Sequence, residues 1–165
     1  MKNVLNQLFS FILPVTVLIL VPLDIEPNIS VHNILALVAG IFIISIGLCI
    51  MIITITKFIK IGKGTLAPWS PTRKLVIDGM YRYARNPMII GVLIVLIGES
   101  IAVLSLNIFE WAVIFFFINN LYFVLLEEPL LEKKFGAEYK EYKKNVSRWI
   151  PRLKPFKQDS GSIVK

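Results

Sequence analysis

One cysteine and one histidine are too few for several kinds of chemistry. With Cys49 alone the chain can close no internal disulfide, and with His32 alone it can assemble neither a Cys/His dyad nor a histidine-cluster metal site. The sequence therefore predicts no metal, and it leaves any catalysis to carboxylates, arginine, lysine, tyrosine, amides and backbone. Cys49 reads as a small packing residue and His32 as an interfacial one. Acids are also scarce, 11 against 18 basic residues, for a formal charge of +7. What is abundant is hydrocarbon. Hydrophobic residues make up 56% of the 165 and the mean hydropathy is +0.71, above the ordinary soluble range.

Apolar windows of about 17 to 25 residues are the mark of membrane-crossing helices. They fall roughly at Val4 to Leu23, His32 to Thr56, Pro87 to Leu104 and Asn107 to Leu126. The expectation is one all-α integral membrane domain over 1–165: four transmembrane helices and a cytoplasmic amphipathic C-terminal helical segment. The first window lacks a small-residue cleavage pattern and reads as a retained helix, with Pro14 a candidate kink. The second carries Gly40, Ser45 and Gly47, small residues that let membrane helices approach closely. Basic residues crowd the 57–86 connection (Lys57, Lys60, Lys63, Arg73, Lys74, Arg82 and Arg85), and ten more follow Leu126. The two opposite connections carry none. The positive-inside bias then puts both termini in the cytoplasm, and the charge reads as topogenic and directed at membrane lipids, with no nucleic-acid partner.

The seven residues RNPMIIG, 85–91, join that basic connection to the third window. Asn86 is a favoured N-cap and Pro87 a favoured first helical residue. The helix N-terminus with Arg85 beside it suits a carboxylate or phosphate, and Gly91 suits either a flat ligand against the backbone or close helix packing. At the end of the fourth window, Glu127 and Glu128 oppose the helix dipole, which marks them as ligand contacts or as solvated interfacial charges. Seven residues earlier, Asn120 belongs on the face of Glu127; with Asn119 it lines a substrate cavity or joins helices. From 129 to 150, Leu131, Phe135, Tyr139, Tyr142, Val146 and Trp149 recur at helical spacing, interrupted by Gly136. That stretch is an amphipathic anchor or a lid. Residues 155–165 read as disordered. Glu99, deep in the third window, should face the bundle.

RNPMIIG, followed one span later by EE and then by FGAEYKEYKKNVSRWIP, resembles the RHPxYxG…EE pattern of the isoprenylcysteine carboxyl methyltransferase and phospholipid methyltransferase superfamily. The resemblance covers about Gly64 to Pro151. Asn86 stands where the pattern has histidine, and Ile89 where it has tyrosine. The resemblance implies a membrane-embedded methyltransferase using S-adenosylmethionine on the cytoplasmic face. Arg85, Asn86, Pro87, Gly91, Glu127 and Glu128 would then form the cofactor cradle, with a lipid-like or prenylated small substrate. A carboxylate acceptor would be oriented by Lys133, Lys134 or Arg148, and an amine acceptor would need an acid. Nicotinamide-dependent sterol-reductase-like membrane enzymes share a related arginine-X-proline stretch, and a non-catalytic membrane protein is the remaining alternative.

Overall fold

The structure is a computed structural model that describes residues 12–62 and 74–157. The start of the first apolar window, the stretch 63–73 with Lys63 and Arg73, and the last eight residues lie outside the described residues. The described residues contain helices, turns and irregular segments, and no strand.

Helix α1 spans Ile12–Ile25, α2 Ile34–Gly62, α3 Pro87–Val103, α4 Leu106–Tyr122 and α5 Glu128–Asn145. Among the described residues, two helical stretches are long and apolar enough to cross a membrane, Ile34–Ile61 and Leu106–Asn145. The second of these is α4 continued into α5, and its apolar part ends at Leu126. α1 and α3 are equally apolar in character but shorter.

Helix ends follow local chemistry. Asn33 Oδ1 accepts from the Leu35 N–H at 2.8 Å and so caps α2. Ser105 Oγ accepts from Ile108 N–H and caps α4; the chain turns into it through Leu104, which is left-handed at φ 54°. Two π-turns interrupt the helices, at Thr16–Leu20 in α1 and at Phe123–Glu127 between α4 and α5. In each, the next N–H reaches back five residues, Val21 to the Thr16 carbonyl and Glu128 to the Phe123 carbonyl. Each turn ends two residues before a proline, Pro22 or Pro129. A proline lacks the N–H an α-helix would use and its ring crowds the carbonyl four residues back, so a widened turn ahead of it relieves both. In α1 the departure from α geometry thus lies beyond Pro14, ahead of Pro22.

α2 and α3 form the tightest seam. A Cβ on Gly47 would stand 2.8 Å from the Gly91 carbonyl oxygen, and one on Gly40 would stand 2.6 Å from the Ala102 backbone. In lipid, where burial drives little, close backbone approach through small residues supplies the attraction. Val17, Met51, Val92, Val95, Leu96 and Ala112 make the core between α1 and α4. Cys49, expected as a packing residue, is instead exposed on α2.

A second core lies outside the bundle. Tyr139, Tyr142, Val146 and Phe156 pack with Leu75, Ile77, Leu131 and Phe135. The apolar face of α5 is therefore covered by the 74–85 segment, which the Lys57–Asp78 ion pair ties to the end of α2. Gly136, at φ 56° and ψ −126°, breaks α5 where the spacing of its apolar residues is interrupted. Of the stretch 155–165 expected to be disordered, 155–157 pack against the fold and the rest lies outside the described residues: Phe156 is buried, its N–H donates to the Arg82 carbonyl at 2.9 Å and its own carbonyl accepts from Arg82 Nε at 2.7 Å.

Candidate functional site

Arg85 enters α3 and Glu128 leaves the π-turn after α4, and the two meet at one end of the bundle. Arg85 Nη1 donates to Glu128 Oε1 at 2.7 Å, with side chains only 11% and 7% exposed. Arg148 donates its Nε to the same oxygen at 2.8 Å and pairs with it through Nη2 as well. Lys143 Nζ stands 2.9 Å from Glu128 Oε2 and 2.7 Å from Glu132 Oε1. One buried carboxylate thus serves three cations. Burial alone would raise the Glu128 carboxyl, but hydrogen bonds from Lys143 and Arg148 and the charge of Arg85 outweigh it and hold the group below the usual carboxylate range. The bonds to Glu132 and Glu128 hold the Lys143 ammonium above its ordinary value. Burial is the main reason that the Tyr139 hydroxyl, 3.4 Å from Arg85 Nη1, is raised.

The π-turn explains which acid joins this cluster. On an uninterrupted helix of 3.6 residues per turn, Asn120 and Glu127 share a face. The widened turn adds about one residue, so that Glu128 takes that position instead. Arg148 bridges the two, its Nη1 donating to Asn120 Oδ1 at 2.8 Å, while Trp149 Nε1 donates to the same oxygen at 3.1 Å. Glu127 is half-buried beside the cluster, and no ion pair holds it among the described residues.

Two features leave polar groups without partners at the mouth of α3. Asn86 precedes the helix but makes no side-chain cap, so the capping expected from its residue type is absent. Arg85 Nε is buried with no hydrogen-bond partner among the described residues. Gly91, by contrast, faces α2, where a Cβ would meet Met51 Cγ at 2.8 Å. Asn119 donates to the Phe115 carbonyl of its own helix at 2.8 Å. Lys133 and Lys134 lie on the exposed side of α5, with Lys134 over the Phe135 ring. Of the three cations expected to orient a substrate, the structure brings only Arg148 into the cluster.

Sequence reasoning missed Lys143 as a site residue and read Tyr139 only as part of an apolar face. Main-chain bonds fix both beside Arg85: Arg85 N–H donates to the Ser147 carbonyl at 3.0 Å and Arg152 N–H to the Tyr83 carbonyl at 2.9 Å. Tyr142 Oη adds a bond to the Tyr81 carbonyl at 2.6 Å. The 147–156 segment therefore runs along the 82–85 segment and carries Arg148 into place.

Membrane-length apolar helices and a buried ionic cluster at one end of an all-helical bundle, among the described residues, define the class of a helical membrane protein with a polar site. The chain belongs to the phospholipid methyltransferase family, whose profile matches residues 35–138, and is thereby a membrane methyltransferase. That match runs from the start of α2 to the middle of α5 and includes Arg85, Asn86, Glu127 and Glu128. The chain is also similar to an uncharacterized protein of Haemophilus influenzae, 39% identical over 54 residues, which is 33% of this chain and 76% of that protein. No solved structure matches the chain.

Proposed function

We propose that the protein transfers a methyl group from S-adenosylmethionine to a lipid-like acceptor at the cytoplasmic face of a membrane crossed four times, with both termini cytoplasmic. The observation that carries the reading is the meeting of Arg85 with Glu128 at the mouth of α3, beside an Arg85 Nε that has no partner among the described residues and an Asn86 side chain that makes no cap. These are donors waiting for an anion. They suit the cofactor's carboxylate, as a charged fork and a positive helix end do for any carboxylate. Glu127, free of ion pairs among the described residues, suits an ammonium or ribose hydroxyls. Pro87 opens the helix without needing a donor, and Gly91 supports the cradle from behind by letting α2 and α3 close up. The residues present therefore fit the group.

When bound, the cofactor supplies an activated methyl carbon, so the protein provides no nucleophile of its own. Its residues bind and align the reactants and exclude water. α5 and the 147–156 segment cover the cluster from the side away from the bundle, and the indole of Trp149 packs against Phe116 and Phe123 of the apolar helix. A lipid head placed there would have its tail among the apolar faces of α4. The family description supports a phospholipid as acceptor. Incubation of the purified chain with methyl-labelled S-adenosylmethionine and a total phospholipid extract tests this: label should enter the organic phase with wild-type protein and not with Arg85→Ala. Label confined to the aqueous phase with both would contradict it.

A further inference from the structure

At the other end of the bundle, twelve residues along α3 from Pro87 and so about 18 Å away at the helical rise, a cavity of about 310 Å³ opens between four elements. Leu18 and Leu23 of α1, Ile41 and Ile44 of α2, Ala102 of α3 and Ile108 of α4 line it. Its wall is hydrocarbon except for one group, the Glu99 carboxyl. Glu99 Oε2 is buried with no hydrogen-bond partner among the described residues. Neighbouring polar side chains do not supply one. Ser45 donates to the Ile41 carbonyl, Ser100 to the Ser105 carbonyl, Ser105 to Glu26 and the Trp111 indole to the Val17 carbonyl.

A buried oxygen left unmatched among apolar side chains carries its full desolvation cost, and within a membrane an ionisable group facing a cavity marks a binding or transport path. We infer that this cavity binds a membrane-dissolved long-chain alcohol, its hydrocarbon body against the apolar wall and its hydroxyl on Glu99. Hydroxyl is the matching group because it both donates and accepts, and so satisfies the carboxyl whether or not that carboxyl holds a proton. Entry is from the bilayer. Ile19, Leu23, Ile29 and Ile41 at the cavity rim are each about half exposed, on faces that meet lipid. The volume lies at the small end of the range for ligand sites, about 300 to 1,000 Å³, which suits a single chain. The site is separate from the methyl-transfer cluster and its occupant is a second ligand.

Photolabelling of the full chain in phosphatidylcholine nanodiscs tests the inference, with a diazirine-bearing decanol and the alkane of matched length as probes. The alcohol should label peptides around Leu23 and Glu99 saturably, at a concentration about tenfold below that of the alkane, the worth of one hydrogen bond. Glu99→Leu should erase that difference. Glu99→Gln, whose amide also donates and accepts, should keep most of it. Leu23→Trp fills the cavity rim without touching the carboxyl and should abolish saturable labelling by both probes. Equal half-saturation of the two probes on the wild type would overturn the inference, as would saturable labelling that survives Leu23→Trp. Should Glu99→Leu fail to fold, the wild-type comparison and Leu23→Trp still decide the matter.

Discussion

Glu127 and Glu128 are neighbours in sequence with opposite circumstances. Glu128 is held by Arg85, Arg148 and Lys143, whereas Glu127 is unpaired among the described residues. Replacing Glu128 with Gln leaves two buried guanidinium groups uncompensated, and such a loss costs about 3 to 5 kcal/mol. Unfolding in detergent should show that drop for Glu128→Gln, while Glu127→Gln, which breaks no ion pair among the described residues, should lower stability less and instead weaken cofactor binding. The pH dependence follows from the same cluster. The folded carboxyl of Glu128 is held below the ordinary 4.5, so its contribution is complete above the unfolded value and is lost as pH falls through the depressed one. Melting temperature should be insensitive to Glu128 titration near neutrality and fall on the acid side of 4.5, and Glu128→Gln should flatten that limb. The acid pair was legible in the sequence because two carboxylates at a helix C-terminus oppose its dipole. Which of them would be buried was not, because that depends on a turn geometry no composition records.

That geometry belongs to the element scale. A proline disfavours helix in the residue before it; at Pro129 the helix nevertheless continues, by widening the turn ahead of it. The face shift from Glu127 to Glu128 is the consequence. Gly136 was legible as an interruption, and its positive φ shows why glycine stands there. A Cβ at that position would meet nothing within 4 Å, so Gly136→Ala carries conformational strain alone, of order 1 to 3 kcal/mol. Differential scanning calorimetry should find a loss of that size. A loss below about 0.5 kcal/mol would mean that α5 can straighten through the break. The apolar spacing of α5 marks a face to be covered, by lipid for an anchor or by protein for a lid; in the structure the 74–85 segment covers it. Periodicity reveals that a face is buried and is silent on what buries it.

For the molecule as a whole, hydropathy pointed to a membrane protein and the motif resemblance to the family that the profile match over 35–138 shows. Arg85 and Glu128, 43 residues apart in sequence, meet only because α3 and α4 form an antiparallel hairpin that returns the chain to its starting end. Of the remaining contributors, Tyr139 and Lys143 come on α5, which continues from α4, and Arg148 arrives through main-chain pairing of the C-terminal segment with residues 82–85. Truncation after Glu132 removes all three and keeps the apolar helices. The shortened chain should still insert in the membrane but lose cofactor affinity and methyl transfer together; normal turnover would show the segment to be dispensable. The central claim, that the Arg85 cluster binds S-adenosylmethionine, is tested most directly by calorimetric titration of the detergent-purified full chain with S-adenosylhomocysteine, with NADPH as the control ligand. The account predicts saturable binding of S-adenosylhomocysteine, none of NADPH, and a loss of about 1.5 to 3 kcal/mol in Arg85→Ala, the worth of a charged hydrogen bond. Absence of S-adenosylhomocysteine binding to the folded wild type, or equal affinity in folded Arg85→Ala, would contradict it.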